Sequence, residues 1–277
     1  MTGAATNHRL RRIAAETVAI VEQGGYQAPS GAWVDLADAV RDAVTGTRLH
    51  LPDDPLPIRG STVGIPLVDV TTGSTLAAGR RLGAGTAALV FASARNPGGG
   101  FLTGARAQEE DIARASALHT CLTAAPDFYS HHRSQRDLRY SDRVIYSPEV
   151  PVFRDDTGTL LDRPYLLSMI TAAAPNLTAI RANQPDLAES APAGVRARAL
   201  RVLQVAAAHG HRRLVLGAWG CGVFGNDPGV VADAFAAALR RVARFDHVVF
   251  AVLDRTPAAA TYHAFANTMR ADFATSK

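Results

Sequence analysis

The chain has 277 residues, of which 47% are hydrophobic and 19% are charged, a balance typical of a soluble globular protein and too apolar for a disordered one. Its formal net charge of +4 is mild and its arginines are scattered along the chain, which argues against a nucleic-acid-binding protein. Because Arg11, Arg12 and Glu16 interrupt the first residues and no apolar run reaches the roughly 18 residues of a membrane helix, we expect a soluble, cytoplasmic protein without a signal peptide.

Lysine and cysteine usage excludes several kinds of chemistry. Lys277, the last residue, is the only lysine, so a Schiff base and a GxxxxGK[ST] phosphate loop are both excluded. Cys121 and Cys221 are far apart in sequence and no CxxC motif occurs, which argues against a disulfide framework or a structural zinc site.

The first part of the chain is predicted to be mostly helical. Apolar residues at helical spacing predict a first helix that ends at Gly24-Gly25, and a second helix over residues 34–44 with Trp33 on its apolar face. A Pro-rich connection, LPDDPLPIRG, follows. Residues 1–60 are therefore predicted to be a helical extension, packed on a main domain that covers residues 61–277.

The main domain is predicted to alternate between strands and helices. PLVDV predicts a strand, STLAAGRRL a short helix beginning near Ser74, TAALVFAS a buried strand, and residues 108 to about 124 a helix. RVIYSPEVPVF has strand composition, and its two prolines indicate an edge or a bulge. Further strands are predicted at YLLSMITAAA, RRLVLGAW and HVVFAVLD, with helices over residues 194–209, 228–243 and 256–273. This alternation predicts an α/β fold whose sheet is covered by helices on both faces.

Two glycine-rich loops follow two of the predicted strands. NPGGGFLTGARAQEED comes after TAALVFAS, and GAWGCGVFGNDP comes after RRLVLGAW and leads into a predicted helix. Glycine allows positive φ and close approach of a ligand to backbone N–H groups, which together with a helix N-terminus can bind phosphate. A single loop of this kind is usually only a tight turn. Two loops at strand ends favour a ligand held at two places, such as a dinucleotide diphosphate.

The second loop also has the spacing of a dinucleotide-binding motif. Gly220, Gly222 and Gly225 form GxGxxG, which would suit a nicotinamide oxidoreductase. That function requires an acidic residue at the end of a strand further along the chain. Asp246 precedes its predicted strand and Asp254 comes late, so this alternative is disfavoured.

Glu109, Glu110 and Asp111 open a predicted helix directly after the first loop. Acidic residues are common in first turns, where they complement the helix dipole. Neighbours on a helix point about 100° apart, so Glu109 and Glu110 cannot face each other across one glycosidic bond. If glycosidic chemistry occurs here, one glutamate would act as acid and then base while the other positions the sugar. Burial and a bound diphosphate would raise the pKa of such an acid.

The segment NPGGGFLTGARAQEE resembles the GGG-x(6–8)-QEE signature of poly(ADP-ribose) glycohydrolases. It is most similar to the short bacterial-type branch, a macrodomain with an N-terminal helical extension. FASARNPGGG, ITAAAPN and LGAWGCGVFGNDP extend the resemblance over most of the chain. The resemblance implies a mixed macrodomain sheet and hydrolysis of ribose–ribose 2′–1″ bonds, mainly at chain ends, in the reversal of ADP-ribosylation and the DNA damage response.

The resemblance also implies a function for individual residues. Glu110 would protonate the leaving oxygen and then deprotonate the attacking water, and Glu109 would hold ribose hydroxyls. The implied substrate-binding residues are Asn96, Gly98, Gly99, Gly100, Gln108, Gly220, Gly222, Val223, Phe224 and Gly225. No metal or cofactor is implied. The expected partners are poly(ADP-ribose), ADP-ribose and ADP-ribosylated proteins, with no direct nucleic-acid or membrane binding. The protein is expected to be a monomer.

Two other functions remain open on the sequence. A non-hydrolytic ADP-ribose reader would use the same loops, although it has no need for paired glutamates, and an enzyme that removes single ADP-ribose units from proteins would use them too. Asp69 is a candidate for an adenine contact, and Cys221 is expected to fill a tight loop rather than act as a nucleophile. The histidine pairs, His131-His132 and His209-x-His211, are expected at the surface rather than on a metal. The sequence leaves open whether the arginine-bearing segment 130–143 contacts the polymer.

Overall fold

The computed structural model describes residues 3–58 and 62–273 of the chain. Its first elements are helix α1 (Gly3–Gln23), strands β1 (Gly25–Gln27) and β2 (Trp33–Asp35), helix α2 (Ala37–Gly46) and strand β3 (Arg48–His50). The predicted division at residue 60 lies outside the described residues and stays a prediction.

The second predicted helix begins later than expected. β2 pairs antiparallel with β1, with Val34 opposite Tyr26, and the Asp35 carboxylate accepts the N–H of Ala37 at 2.8 Å, so the helix starts only there. Trp33, expected on the apolar face of that helix, lies in β2 and is 60% exposed. A short hairpin is invisible to helical periodicity when its apolar residues happen to continue the helical spacing.

The remaining strands lie where the sequence predicts them, whereas the helices Pro126–Ser134 and Leu177–Asn183 were not predicted. The strands are β4 (Leu67–Thr71), β5 (Thr86–Phe91), β6 (Val144–Arg154), β7 (Leu160–Ala172), β8 (Arg213–Gly217) and β9 (His247–Ala251). The helices are α3 (Thr75–Leu82), α4 (Gln108–Ala115), α5 (Leu118–Thr123), α6 (Pro126–Ser134), α7 (Leu177–Asn183), α8 (Ala191–Ala208), α9 (Pro228–Val242) and α10 (Ala260–Phe273). The predicted start of α3 is confirmed, because the Ser74 hydroxyl accepts the N–H of Ala77 and caps the helix.

Seven strands form the main sheet in the order β3-β6-β7-β5-β8-β9-β4. β7, β5, β8, β9 and β4 are parallel, whereas β6 runs antiparallel to both of its neighbours. The register of β6 against β7 shifts between Ser147 and Val150, so the bulge predicted from its prolines is confirmed. The carboxyl ends of the parallel strands share one edge of the sheet, and both glycine loops leave from that edge.

The core lies on both faces of this sheet. Ala88 and Val90 of β5 belong to one buried cluster, and Ala87 and Leu89 belong to the other, as expected for a parallel strand buried on both sides. The first cluster packs against α3 to α6, and the second packs against α8 to α10. The predicted mixed α/β sheet covered on both faces is confirmed.

The predicted helix over residues 108 to about 124 is two helices. The backbone of Ser116 is extended and bridges to Val152 of β6, and the N–H of Ala117 donates to the carbonyl of Pro151 at 3.1 Å. This pairing with a distant strand interrupts a stretch whose local sequence favours one continuous helix.

Helix α1 is fixed to the main domain by polar contacts near the first glycine loop. The Thr17 hydroxyl donates to the carbonyl of Arg114 at 2.6 Å, and Glu16 pairs with the buried Arg154 at 2.9 Å. The Arg11 guanidinium donates to the carbonyl of Thr103 at 3.1 Å. In the described part of the chain, none of the helices is both long and apolar enough to cross a membrane.

Candidate active site

The first glycine loop follows β5 and turns back over the start of α4. The Ser93 hydroxyl accepts the N–H of Asn96 at 3.1 Å, and the carbonyl of Asn96 accepts the N–H of Gly99 at 3.0 Å. Gly98 and Gly99 have φ of 68° and 59°, in the left-handed region that disfavours other residues. The two tight turns place the backbone of residues 98–100 directly on the glutamates of α4.

Contact with Glu110 explains why this loop consists of glycine. The N–H of Gly100 donates to Glu110 Oε1 at 2.9 Å. A Cβ atom on Gly99 would lie 2.3 Å from the same oxygen, well inside van der Waals contact. The loop can therefore approach the carboxylate only because it has no side chain at this position.

Glu109 contacts an earlier part of the same loop. Its Oε2 accepts the N–H of Ser93 at 2.6 Å, and its side chain is almost completely buried. Burial raises the pKa of Glu109 well above its usual range, and the charge of Glu110 adds to this increase, whereas the backbone N–H groups of Ser93 and Gly98 oppose it. Glu109 Oε1 and Glu110 Oε2 are buried without a hydrogen-bond partner among the described residues.

The side chain of Gln108 makes its hydrogen bonds within the protein. Its side-chain oxygen accepts the N–H of Phe91 at 2.8 Å, and its amide nitrogen donates to the carbonyl of Leu89 at 2.7 Å and to the Thr75 hydroxyl at 3.1 Å. These bonds fix the first residue of α4 to the end of β5. They explain why a glutamine precedes the two glutamates.

The second glycine loop follows β8 and ends at α9. Gly220 and Gly225 have φ of 72° and 67°. The Asn226 amide donates to the carbonyls of Pro175 at 2.8 Å and Gly220 at 3.0 Å, and the Asp227 carboxylate accepts the N–H of Val230, which caps α9. The loop therefore rests on the ITAAAPN segment and leads directly into a helix N-terminus.

The two side chains at the tip of the second loop differ in their exposure. Val223 is 85% exposed, whereas Phe224 is partly buried and lies beside Tyr140, with the ring centroids 6.3 Å apart. The carbonyl of Phe224 accepts the N–H of Thr178 at 3.0 Å. Thus the backbone at Phe224 is held by α7, while Val223 is free to contact a ligand.

A cleft of about 1040 Å³ lies at the carboxyl ends of β5, β8 and β9. Its walls include Gln108 and Asp111 beside the first loop, Cys221 and Gly222 in the second loop, and residues 251–255 after β9. Helix α1 and the turn between β6 and β7 close another side. This volume accommodates a dinucleotide-sized ligand. Glu109 and Glu110 lie beneath the first loop rather than on the wall of this cleft.

Residues 14–155 match the family model of the microbial-type PARG catalytic domain. The chain belongs to the microbial-type poly(ADP-ribose) glycohydrolase family. It is 50% identical to a crystal structure of the poly(ADP-ribose) glycohydrolase from Thermomonospora curvata, with a TM-score of 0.88 and coverage of 94% of this chain and 99% of that one. The resemblance drawn from the sequence and the prediction of a glycosidase are confirmed.

Two further glycohydrolase structures contain ligands. The T. curvata enzyme bound to the inhibitor ADP-HPD is 51% identical, with a TM-score of 0.86 and coverage of 94% of this chain and 99% of that one. The Deinococcus radiodurans enzyme in complex with ADP-ribose is 44% identical, with a TM-score of 0.80 and coverage of 86% and 99%. No curated protein gives a significant match.

The cleft walls formed by α1 and the β6–β7 turn were not found by sequence reasoning. Arg9 and Ile13 of α1 and residues 155–158 of the turn line the cleft. They occur in no phosphate-binding motif, and only the fold brings them to the glycine loops. Tyr129 was missed as well: its hydroxyl is buried without a partner among the described residues, and burial and then the charge of Glu109 raise its pKa.

Asp69 is not brought into the cleft of this glycohydrolase. It lies on β4 at the edge of the sheet, and its carboxylate pairs with His247 at 2.8 Å. His247 is the first residue of β9, at the end opposite the glycine loops.

Two of the four paired histidines are buried, so the expectation of surface positions is wrong for them. His132 bonds to the carbonyl of Phe128 and to Ser141, and His211 bonds to the carbonyl of Gly85 and to Tyr146. In both rings, each of the two nitrogens has a hydrogen-bond partner in the core. These partners cannot be inferred from the local sequence. Burial lowers the pKa of His132 to about 4.

Cys221 lies in the wall of the cleft with little thiolate character. Burial raises the pKa of its thiol to about 12, and the charge of Asp227 contributes to this increase. A thiol with this pKa remains protonated at neutral pH and is a poor nucleophile. We therefore assign Cys221 to filling the loop, in line with the expectation from the sequence.

Proposed function

We propose that this chain hydrolyses the 2′–1″ glycosidic bonds of poly(ADP-ribose) at chain ends and releases ADP-ribose. The observation that carries the proposal is the contact between the glycine loop and the paired glutamates, whose neighbours Gln108 and Asp111 line a dinucleotide-sized cleft. A protein that only bound ADP-ribose would have no need for two buried carboxyl groups at this position. The ligands of the related glycohydrolases, ADP-ribose and ADP-HPD, support the same substrate class.

The two glycine loops would hold the terminal ADP-ribose unit. Gly220, Gly222 and Gly225 would let a diphosphate approach the backbone of the second loop closely, and the N-terminus of α9 adds a favourable dipole for it. Val223 and Phe224 would order the terminal ribose from the tip of this loop. Residues 96–100 would hold the distal ribose against α4.

Glu110 would be the single acid and base. Its Oε1 is held by Gly100, so the remaining oxygen, Oε2, would carry the proton. Transfer of this proton to the leaving O2′ breaks the bond to C1″ and produces an oxocarbenium-like centre. Glu110 then removes a proton from water as the water oxygen bonds to C1″, which regenerates the acid.

Glu109 would position the ribose. Its Oε2 is occupied by Ser93, which leaves Oε1 for a ribose hydroxyl. Its raised pKa favours the protonated form, and a protonated carboxyl group can donate as well as accept a hydrogen bond. Because residues 98–100 cover both carboxyl groups, we infer that this loop moves when a ribose enters.

Closure of the cleft favours attack at chain ends. Arg9 of α1 donates to the carbonyl of Thr157 in the β6–β7 turn at 2.5 Å, so these two segments meet across one side of the cleft. An internal unit of the polymer would need an exit for the chain in both directions. A cleft closed in this way accommodates a terminal unit more readily than an internal one.

The proposed function is tested with two substrates and product analysis. The purified protein is incubated with automodified poly(ADP-ribose) and, separately, with a protein that carries one ADP-ribose unit. We expect free ADP-ribose from the polymer at the earliest times, few oligomers, and no loss of the single protein-linked unit. Tight ADP-ribose binding without any release would identify a reader, and removal of the single unit would identify a mono-ADP-ribosyl hydrolase.

A further inference from the structure

An exposed group of arginines lies next to the first glycine loop. We call Arg95 and Arg133 the arginine patch; both side chains are exposed. Arg133, in the last turn of α6, donates through Nη1 to the carbonyl of Arg95 at 2.7 Å. Arg95 directly precedes Asn96, so this bond fixes the end of α6 to the start of the loop.

The arginine patch has no acidic partner of its own. None of the ion pairs among the described residues includes Arg95 or Arg133. The two carboxylates of the neighbouring segment are engaged elsewhere: Asp137 pairs with Arg139 at 2.6 Å and Asp142 pairs with Arg198 at 3.0 Å. The patch is therefore a cationic surface whose charge is available to an anionic ligand.

The position of the patch relates it to the proposed bond cleavage. The loop that begins at Arg95 reaches Glu110 through Gly99 and Gly100 within a few residues. On its other side, the segment after α6 reaches the second loop, because Tyr140 contacts Phe224 and the carbonyl of Leu138 accepts the N–H of Asn176 at 3.0 Å. The patch therefore lies beside the first loop, and the segment that follows it lies beside the second loop.

We propose that the arginine patch binds the diphosphate of the ADP-ribose unit on the leaving side of the scissile bond. This inference rests on the proposed function. When the bond to C1″ breaks, O2′ stays with the next unit of the chain, and the diphosphate of that unit is attached to the same ribose. Guanidinium groups bind phosphate oxygens through paired, charge-assisted hydrogen bonds. Two of them beside the loop would hold the polymer while its terminal unit occupies the cleft.

The test compares a polymer with a substrate that lacks the leaving-side unit. The variant is Arg95→Gln/Arg133→Gln, and the matched control is Arg241→Gln/Arg270→Gln, which removes two exposed arginines from α9 and α10. The short substrate is ADP-ribose joined at C1″ to a small uncharged phenol. Steady-state kinetics are measured for both substrates at low and at high salt.

We expect the patch variant to raise KM for the polymer about 10-fold at low salt and to weaken its salt dependence, because fewer phosphate contacts are formed. Its kcat/KM for the short substrate should stay within about two-fold of wild type, since each arginine acts only on the leaving side. The control variant should match wild type on both substrates.

Four results would overturn the inference. If the patch variant still cleaves the polymer with an unchanged KM, the patch does not bind the polymer, although the proposed function stands. An equal loss of kcat/KM on both substrates would indicate damage to the active site itself. A DNA duplex whose gel shift is lost in the variant, with polymer kinetics unchanged, would assign the patch to nucleic acid. If the wild type cleaves neither substrate, the proposed function fails and this inference fails with it.

Discussion

Glu109 and Glu110 are adjacent in sequence, yet their carboxyl groups contact different parts of one loop. Glu109 is bonded to Ser93 at the beginning of the loop, and Glu110 is bonded to Gly100 at its end. The divergence of about 100° between helical neighbours accounts for this. This geometry supports the proposal that one carboxyl group transfers protons while the other positions the ribose.

Substitution of Gly99 tests the contact between the loop and Glu110. Gly99→Ala places a Cβ where Glu110 Oε1 lies and adds a side chain at positive φ, so we expect a loss of about 1–3 kcal/mol of stability. The rate of hydrolysis should fall by more than the loss of folded protein explains, because the added Cβ displaces the Glu110 carboxylate. Gly64→Ala is the control, since an added Cβ there meets nothing within 4 Å. Urea denaturation and polymer turnover measure both effects; equal behaviour of the two variants would contradict the account.

The raised pKa of Glu109 predicts that the stability of the protein depends on pH. Its folded pKa is raised above the ordinary value of 4.5, so its contribution to stability is fully present below that value and is lost as pH rises through the folded pKa. Glu109→Gln removes this loss. We therefore expect the variant to be more stable than wild type at pH 8, with a smaller difference at pH 5, by urea denaturation. A stability difference between the two proteins that is the same at both pH values would show that the pKa of Glu109 is not raised in the folded state.

The thiol of Cys221, in contrast to the two glutamates, is expected to be dispensable for catalysis. Because its pKa is raised to about 12, we expect Cys221→Ala to keep wild-type turnover within about two-fold, and iodoacetamide to react slowly at pH 7. Loss of turnover by orders of magnitude in the alanine variant, with ADP-ribose binding retained, would instead indicate a nucleophilic function.

At the scale of elements, contacts between distant segments decide the shape of the site. α4 ends at Ser116 because β6 pairs with the backbone there, and α6 and the segment after it then pass beside both glycine loops. The charged pair of Arg198 and Asp142 fixes this segment to α8, and Arg198 also donates to the carbonyl of Ala173 after β7. The rim of the site is thus held by a buried guanidinium.

The two members of this pair should differ in their effect on stability. Asp142→Ala leaves Arg198, which is 2% exposed, without its counter-ion, so we expect a loss of about 3–5 kcal/mol. Arg198→Met fills the same space with an apolar chain and leaves Asp142, whose side chain is 34% exposed, able to be hydrated. We therefore expect a smaller loss, of about 1–3 kcal/mol. Urea denaturation of both variants checks the order, and the reverse order would contradict this reading.

The sequence predicts the local features of the site and misses those made by distant contacts. The glycine loops, the paired glutamates and the Ser74 cap are adjacent in sequence to the elements that they serve, so pattern and spacing identify them. The break at Ser116 and the burial of His132 depend on partners on other elements. No local pattern records such partners, which is why a continuous helix and a surface histidine were expected there.

At the scale of the whole molecule, the N-terminal segment is more than an attached helical pair. β3 pairs with β6 at the edge of the main sheet, and α1 forms a wall of the cleft. The family signature identifies one end of the site, around Glu110, whereas the walls from α1 and the β6–β7 turn follow only from the fold. The cleft is therefore bounded both by the signature segment and by this N-terminal segment.

The central claim, that Glu110 is the single acid and base, is tested most directly by single-turnover release of ADP-ribose from poly(ADP-ribose). Glu110→Gln is compared with Glu109→Gln and with Glu22→Gln, a control at an exposed position of α1. We expect Glu110→Gln to bind ADP-ribose like wild type and to lose at least about 10²–10⁴ in rate, because one group serves both proton transfers. Glu109→Gln should retain more activity, and Glu22→Gln should match wild type. Substantial release by Glu110→Gln, or a greater loss in Glu109→Gln, would contradict the account.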